Sequence, residues 1–239
     1  MVVLGVNLDH IATIRQVRGT KYPSPAEGAK ICEECNVHGV TLHLREDRRH
    51  IQEYDLFEVQ KVLKKCTLNL EMALSDDVID AAHRLSPYMA TIVPERREEL
   101  TTEGGLDVTQ NFKKISALVK DFHSRNILVS LFIEPDSDAV KLSADTGSDY
   151  VEIHTGSFAD AQDESVRSRE LARVFAAAET ADSLGIRVNA GHGLNYDNII
   201  PVLAMKNLHE VNIGHSIISR AVIAGLKPAI LEMKALLER

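Results

Sequence analysis

Cysteine is scarce in this chain, which has three in 239 residues. A small, odd number without an export signal does not form a disulfide framework, so we expect free thiols in a reducing cytosol. Two of them form the sequence Cys32-x-x-Cys35. A redox motif of this type opens a helix directly after a strand, whereas this pair falls late in a predicted helical segment. We therefore interpret it as two cysteines on one helix face.

Long apolar runs and extended basic segments are also lacking. The N-terminal MVVLGVNLDH has no basic start followed by an apolar stretch, and no run is long enough to span a bilayer. We therefore expect a cytoplasmic protein without a membrane partner. The net charge is −8, from 27 Lys and Arg against 35 Asp and Glu. The densest basic cluster, residues 45–50, also holds two acids and suits a small anion, so nucleic acid is not an expected partner.

Eight short aliphatic runs alternate with segments of helical periodicity. The runs are apolar nearly throughout, as strands buried on both faces are. Eight strand–helix repeats over this length predict an α/β fold, a (β/α)8 TIM barrel with extra short helices, as a single domain over residues 1–239. The predicted strands are Val2–Asn7, Gly39–His43, Thr67–Glu71, Tyr88–Val93, Ile127–Ile133, Tyr150–Ile153, Arg187–Ala190 and Glu210–Ile213.

A doubly wound open sheet is the competing fold. It needs a glycine-rich phosphate turn after the first strand, and NLDHIATIRQVRG is not one. Helix signals fit the barrel, with Ser24 and Pro25 as an N-cap and first helical residue and a long helix from about Asp163 to Leu184. The polar stretch from Pro94 to Val108 is longer than a barrel connection requires, which is typical of a functional loop.

Polar side chains favour the C-terminal ends of the predicted strands, where barrel enzymes have their active sites. A single histidine there is often a packing residue, but six of the ten histidines lie at these ends or just beyond. This convergence indicates an active site. The six are His10, His43, His50, His154, His192 and His215, and the other polar residues include Asn7, Asp9, Arg45, Glu152, Thr155, Asn189 and Asn212.

Glu71 stands out because apolar residues flank it in LNLEMAL. An unpaired carboxylate is costly to bury, and burial would raise its pKa towards the range of a general base. Glu134 and Asp136, after the fifth strand, are either helix-capping residues or rim groups, and capping is the favoured interpretation. Asn189 and Asn212 are weaker evidence for an active site, since asparagine near a turn often hydrogen-bonds to its own backbone.

Two anion sites are expected on the rim. AGHG after the seventh strand and IGH after the eighth put small residues before a short helix opening near Ser216, which is the usual phosphate cradle of barrel enzymes. Arg18, Arg45 and His50 are then available to bind a second anion on the opposite side of the rim. No Lys lies at a predicted strand end, so any imine must use an amine of the substrate. We expect no cofactor and no metal, although the rim histidines and carboxylates leave a metal site as an alternative.

Seven blocks along the whole chain resemble the pyridoxine 5′-phosphate synthase family. That family implies a homo-octameric enzyme of vitamin B6 biosynthesis. Its two small phosphorylated substrates, 3-amino-2-oxopropyl phosphate and 1-deoxy-D-xylulose 5-phosphate, are condensed to pyridoxine 5′-phosphate, phosphate and water. The blocks are GVNLDHIATIRQVRGT, VTLHLREDRRHI, NLEMA, VPERREELTTEGGLDV, VEIHTG, VNAGHGLNY and HEVNIGHSIISRAV.

The same resemblance implies roles for individual residues. His43 and Glu71 match the general bases and His192 the general acid, while Glu152 is an additional candidate for proton relay or orientation. The loop Thr101–Gly105 would act as a lid. The positions implied for the amino-ketone phosphate are Asn7, Gly193, Gly214 and His215. Those implied for the deoxyxylulose phosphate are Asp9, His10, Arg18, Arg45, His50 and Thr101.

Two other functions compete with this one. A phosphosugar epimerase or aldolase-like barrel, with or without a metal, needs only one anion site and would tolerate loss of Arg45 and His50. A non-catalytic phosphometabolite-binding barrel would keep Gly193 and Gly214 but would have no use for Glu71.

Overall fold

Eight parallel strands close into one barrel in the computed structural model, which describes residues 1–94 and 104–238. Each strand pairs with the next in sequence, and the last pairs with the first, so the predicted (β/α)8 barrel is confirmed. No predicted strand end is wrong by more than two residues. The strands are β1 (Val3–Asn7), β2 (Gly39–His43), β3 (Thr67–Met72), β4 (Met89–Ile92), β5 (Leu128–Ile133), β6 (Tyr150–His154), β7 (Arg187–Gly191) and β8 (Leu208–Ile213).

Helices surround the barrel, and they outnumber the strands because of short extra helices, as predicted. Two helices begin where predicted, and each has a side-chain cap. Ser24 Oγ accepts a hydrogen bond from the Ala26 amide, with Pro25 as first helical residue, and the Asp163 carboxylate accepts from the amides of Ser165 and Val166. The helices are α1 (Asp9–Arg18), α2 (Pro25–Glu34), α3 (Glu53–Val62), α4 (Asp76–Leu85), α5 (Val108–Ser124), α6 (Ser137–Asp145), α7 (Gly156–Ala159), α8 (Glu164–Leu184), α9 (Ile199–Val202), α10 (His215–Ala224) and α11 (Leu226–Leu237).

Apolar side chains between strands and helices form the main core, whereas the barrel interior is largely polar. A chain of hydrogen bonds crosses it. Thr91 Oγ1 donates to Asn69 Oδ1 at 2.9 Å, and Thr41 Oγ1 donates to Asn212 Oδ1 at 3.2 Å. Since β1 lies between β2 and β8, the second bond must cross the interior, and Gly5 leaves the space for it: a Cβ there would be 2.2 Å from Asn212 Oδ1. Asn212 is therefore an interior residue and not a turn residue.

The three cysteines are buried free thiols. Cys32 lies in α2, and Cys35 is the residue at which that helix ends, so the pair falls late in a helix as predicted. Burial raises the pKa of Cys32, and raises that of Cys66 to about 12. Both thiols are thereby kept protonated and unreactive. No helix in the described part of the chain is long and apolar enough to cross a membrane.

Candidate active site

The carboxyl ends of β1 and β2 bring Asn7, Asp9 and His43 together. The Asn7 amide donates to Asp9 Oδ2 at 2.8 Å, and the His43 backbone amide donates to Asp9 Oδ1 at the same distance. Asp9 is only 6% exposed. The start of α1 is thus tied to the end of β2, and Asp9 is held in one orientation at the rim.

Glu71, near the end of β3, faces this group. Its Oε2 lies 3.8 Å from His43 Nδ1, and its side chain is 16% exposed. Burial raises the pKa of Glu71 well above the ordinary value, and the carboxylates of Asp9 and Glu152 raise it further, while a hydrogen bond from Asn7 opposes the shift. The direction of this pKa shift agrees with the expectation from the sequence, and its causes include two other acids as well as desolvation.

Arg45 and His50 follow β2 on the same side. Arg45 is 4% exposed, and its Nε donates to Asp47 Oδ1 at 3.3 Å. The His50 ring lies 6.0 Å from that of His43, and burial lowers the pKa of His50. The ligand atoms of Asp9, His43 and His50 lie within 4.8 Å of one another, which is compatible with a cation. His50 Nδ1, however, already accepts a hydrogen bond from the Ile51 amide.

A second group lies at the ends of β5, β6 and β7. His154 Nδ1 is 2.8 Å from Glu134 Oε1, and the His154 ring packs edge-on against His192 at 4.9 Å between centroids. Glu134 also accepts from the Gly105 amide. The interpretation of Glu134 as a helix cap is wrong, because its carboxylate turns to His154 on the neighbouring strand. Asp136 does cap α6, as predicted.

His192 is exposed at the rim in a left-handed conformation, with φ of 75°. Desolvation by the neighbouring side chains lowers the pKa of His192, and the nearby His154 lowers it further. Thr155 Oγ1, 2.6 Å from the His192 carbonyl oxygen, holds the turn in place. Gly193 follows with φ of 79°, and a Cβ there would lie 2.5 Å from the Ala159 Cβ, so only glycine fits without strain.

The loops after β7 and β8 meet at the start of α10, where the sequence predicts a phosphate cradle. Gly214 precedes α10, whose first-turn amides have no side-chain cap, and Ser216 Oγ donates to the Leu194 carbonyl of the preceding loop at 2.8 Å. A Cβ on Gly214 would come within 3.1 Å of Asn7, so glycine allows this close approach. The ring of His10 lies 5.1 Å from that of His215 across the gap between α1 and α10.

Two buried ring nitrogens on the rim, His10 Nδ1 and His154 Nε2, have no hydrogen-bond partner among residues 1–94 and 104–238. Buried polar atoms of this kind need a partner, which a bound ligand can supply. Below them, Glu152 Oε2 accepts from the Asn212 amide at 2.7 Å, and burial raises the pKa of Glu152 to about 7.

Arg18 is exposed in the last turn of α1, about 13.5 Å along the helix axis from Asp9 at 1.5 Å per residue. Thr101, with most of the predicted lid, lies outside the described residues. Glu134 joins the rim, which the sequence left open for it, and Phe132 beside it was not considered, although its position at the end of the fifth strand was the signal. The Phe132 ring lies 5.2 Å from that of His154.

Solved structures with similar folds are barrel proteins of low sequence identity. KGPDC from Streptococcus mutans aligns with a TM-score of 0.67 at 14% identity, covering 100% of this chain and 98% of that one. Phosphoribosyl anthranilate isomerase from Thermus thermophilus aligns at 0.61 and 12% identity, covering 99% and 100%. At such identities these similarities show the fold alone.

Sequence similarity is far more specific. A protein of Pseudoalteromonas translucida named pyridoxine 5′-phosphate synthase is 49% identical over 236 residues, covering 99% of this chain and 97% of the relative. A protein of Geotalea uraniireducens with the same name is 51% identical over 233 residues, covering 98% and 97%. The family described as "Pyridoxal phosphate biosynthesis protein PdxJ" matches residues 4–239. With a full barrel, a histidine- and carboxylate-rich rim and this similarity over nearly its whole length, the chain belongs to the PdxJ family of pyridoxal phosphate biosynthesis proteins.

Proposed function

We propose that this protein is a pyridoxine 5′-phosphate synthase that condenses 3-amino-2-oxopropyl phosphate with 1-deoxy-D-xylulose 5-phosphate. The products are pyridoxine 5′-phosphate, inorganic phosphate and water. Ring closure requires an imine, dehydrations and a new carbon–carbon bond, and each of these steps moves a proton. The proposal therefore needs acid and base groups on several sides of one pocket, together with sites for two anions.

The observation that carries the proposal is the position of Glu71. Its carboxyl is buried among Asp9, His43 and Glu152, and these surroundings raise its pKa well above the ordinary value. A carboxylate in such a place is a strong base towards a carbon-bound or hydroxyl proton. His43, whose Nδ1 is 3.8 Å away, is the second base and can pass protons to or from Glu71.

The general acid belongs to the second group, at the ends of β5, β6 and β7. A lowered pKa makes protonated His192 a stronger acid, so the ring can take a proton at one step and return it at another. His154, fixed by Glu134, supports the His192 ring from the side. We therefore assign His192 as general acid, and Glu152 as an orienting group below the pocket.

The two phosphates have separate places in this proposal. The first-turn amides of α10, with Gly193, Gly214 and His215, take the amino-ketone phosphate, since an uncapped helix N-terminus favours an anion. Arg45 and His50 take the second substrate, and Asp9 and His10 are placed to bind its hydroxyl groups. Among the described residues no Lys lies at the end of a strand, so the imine forms on the amine of the first substrate.

The test is to incubate the purified protein with both substrates and to follow pyridoxine 5′-phosphate and released phosphate together, with and without a chelator. Equal appearance of both products supports the proposal. The absence of product from verified substrates would refute it and favour a one-substrate phosphosugar enzyme, whose activity should survive in the Arg45→Ala, His50→Ala variant.

A substitution separates catalysis from binding. Glu71→Gln should abolish most turnover while both substrates still bind, and Glu179→Gln, an exposed carboxylate on α8, is the matched control. If Glu71→Gln left the function of the protein intact, a phosphometabolite-binding barrel would be the better interpretation.

A further inference from the structure

The amino end of the barrel, opposite the candidate active site, holds a second group of histidine and carboxylate side chains. His38 precedes β2, and His209 and Glu210 lie in β8. His38 Nε2 is 3.5 Å from Glu210 Oε2, and the two imidazole rings pack edge-on at 5.5 Å between centroids. One ligand atom from each residue lies within 4.8 Å of the other two. We call these three residues the lower cluster.

An irregularity in β8 allows two consecutive residues to join this cluster. Successive side chains of a strand normally point to opposite faces. In the pairing of β7 with β8, Val188 lies opposite Leu208 and Asn189 opposite Glu210, so His209 is an extra residue in the ladder. Such a bulge re-aims a side chain. Here it puts the His209 ring beside His38 while Glu210 remains in the barrel interior.

Gly5 leaves room for the Glu210 carboxylate, because a Cβ there would lie 2.6 Å from Glu210 Oε1. Glycine inside a strand costs stability, and it is expected where another group must approach closely. The interior at this end is therefore shaped around a carboxylate.

The charge of this carboxylate is poorly compensated. Its side chain is 4% exposed, and among the described residues its only ion-pair partner is His38. Arg187 of the neighbouring β7 donates a hydrogen bond to the Tyr150 hydroxyl at 2.7 Å.

We propose that His38, His209 and Glu210 form a binding site for a divalent transition-metal ion, with Zn²⁺ as the preferred ion. Two imidazoles and one carboxylate are a common zinc ligand set, and a fourth position would be taken by water. A cavity of about 370 Å³ lies beside His38 and is also lined by Met1, Val3 and Lys65, while His209 is itself only partly buried. The N-terminal end of a barrel serves stability more than chemistry, so the ion would join β2 to β8 across β1. This site lies at the opposite end of the barrel from the metal site that the sequence left as an alternative at the rim.

Metal binding to the whole protein tests this proposal without using activity. Tag-free protein, stripped with a chelator and dialysed, is titrated with Zn²⁺ in a calorimeter and with Co²⁺ in an absorption cell. We expect one ion per chain, visible absorption typical of tetrahedral Co²⁺, and a higher midpoint of thermal unfolding when Zn²⁺ is present.

Three variants locate the ion. His209→Gln should weaken binding at least about 100-fold, since loss of a ligand exceeds the effect of losing its supporting hydrogen bond. His123→Gln, which removes a histidine paired with Asp149 elsewhere on the surface, should bind like the parent protein. His50→Gln, which removes one of the three rim residues Asp9, His43 and His50, should also bind Zn²⁺ like the parent protein. If His209→Gln does not fold, His38→Gln provides the same test, because its ring is 31% exposed and contributes less packing.

Three results would overturn the proposal. The first is no binding by the parent protein at millimolar Zn²⁺. The second is binding that persists in both His209→Gln and His38→Gln. The third is binding lost in His50→Gln, which would place the ion at the rim. None of these results bears on whether the protein forms pyridoxine 5′-phosphate.

Discussion

Replacing Glu152 by glutamine should stabilise the folded protein at pH 8 and have little effect at pH 5. Glu152 is 3% exposed in the barrel interior, and burial raises its pKa from 4.5 to about 7. Between these two pKa values the unfolded chain has released the proton and the folded protein has kept it. Stability therefore falls as the pH rises through this window.

The size of the effect follows from the shift. A rise in pKa from 4.5 to about 7 corresponds to about 3 kcal/mol of unfolding free energy. The parent protein loses this stability above pH 7, and the variant does not. For a chain of this length that is a rise of about 6 to 12 °C in the unfolding midpoint. Glutamine keeps the shape and still accepts from the Asn212 amide. Its new amide group can donate to Asn189, which lies opposite on β7 and whose buried Oδ1 has no partner in the described part of the chain.

The assay is thermal unfolding of the parent protein and the variant at intervals from pH 5 to pH 8. Glu170→Gln is the matched control with the opposite sign. Burial alone would raise the pKa of Glu170, but hydrogen bonds from Arg173 and Arg169 outweigh it and hold the pKa below the ordinary value. That substitution should destabilise the protein by a similar amount from pH 8 to pH 5, because the stability from a lowered carboxyl pKa is lost only as the pH falls below the ordinary value of 4.5. A Glu152→Gln variant that is less stable than the parent at pH 8, or that differs from it equally at every pH, would refute the reasoning.

Three further substitutions test other parts of the structure. Glu71→Gln should lower kcat by about 10²- to 10⁴-fold with little change in KM, because a general base is lost and its shape is kept; a loss below tenfold in steady-state kinetics would contradict this. Gly193→Ala should cost about 1–2 kcal/mol from its left-handed backbone alone and more from the contact with Ala159, as a lower unfolding midpoint will show. Arg15→Met should cost about 3–5 kcal/mol by leaving Asp55 buried without its two hydrogen bonds of 2.6 and 2.7 Å. Chemical denaturation should show much of that loss recovered in the Arg15→Met, Asp55→Leu double variant, and failure to recover would contradict the explanation.

The strands and their order could be predicted because each strand of a parallel barrel is buried on both faces. The aliphatic runs that result, such as Val2–Asn7 and Ile127–Ile133, are visible in one dimension. Helix starts at Ser24 and Asp163 were equally local, since a cap and its helix are neighbours in sequence. The rim residues followed from the strand ends, so Asn7, His43 and Glu71 were placed correctly before any contact was known.

The errors have a common cause. Glu134 was interpreted as a cap because its contact with His154 joins two strands, and no local pattern shows such a contact. Asn212 was given little weight because asparagine near a turn often binds its own backbone, although its side chain crosses the barrel to Thr41 and Glu152.

The sequence by itself determined the barrel, the rim that carries the candidate active site and the kinds of residue found there, because these depend on periodicity and on position relative to strand ends. Tertiary structure alone decided which side chains meet. It removed the Glu71 carboxyl from water and put Asp9 and Glu152 near it, and so set the direction of its pKa shift. The bulge at His209 likewise turned two consecutive residues of β8 into one cluster with His38. Electrostatic energies depend on distance and burial in three dimensions, and residues far apart in sequence acquire these only when the barrel closes.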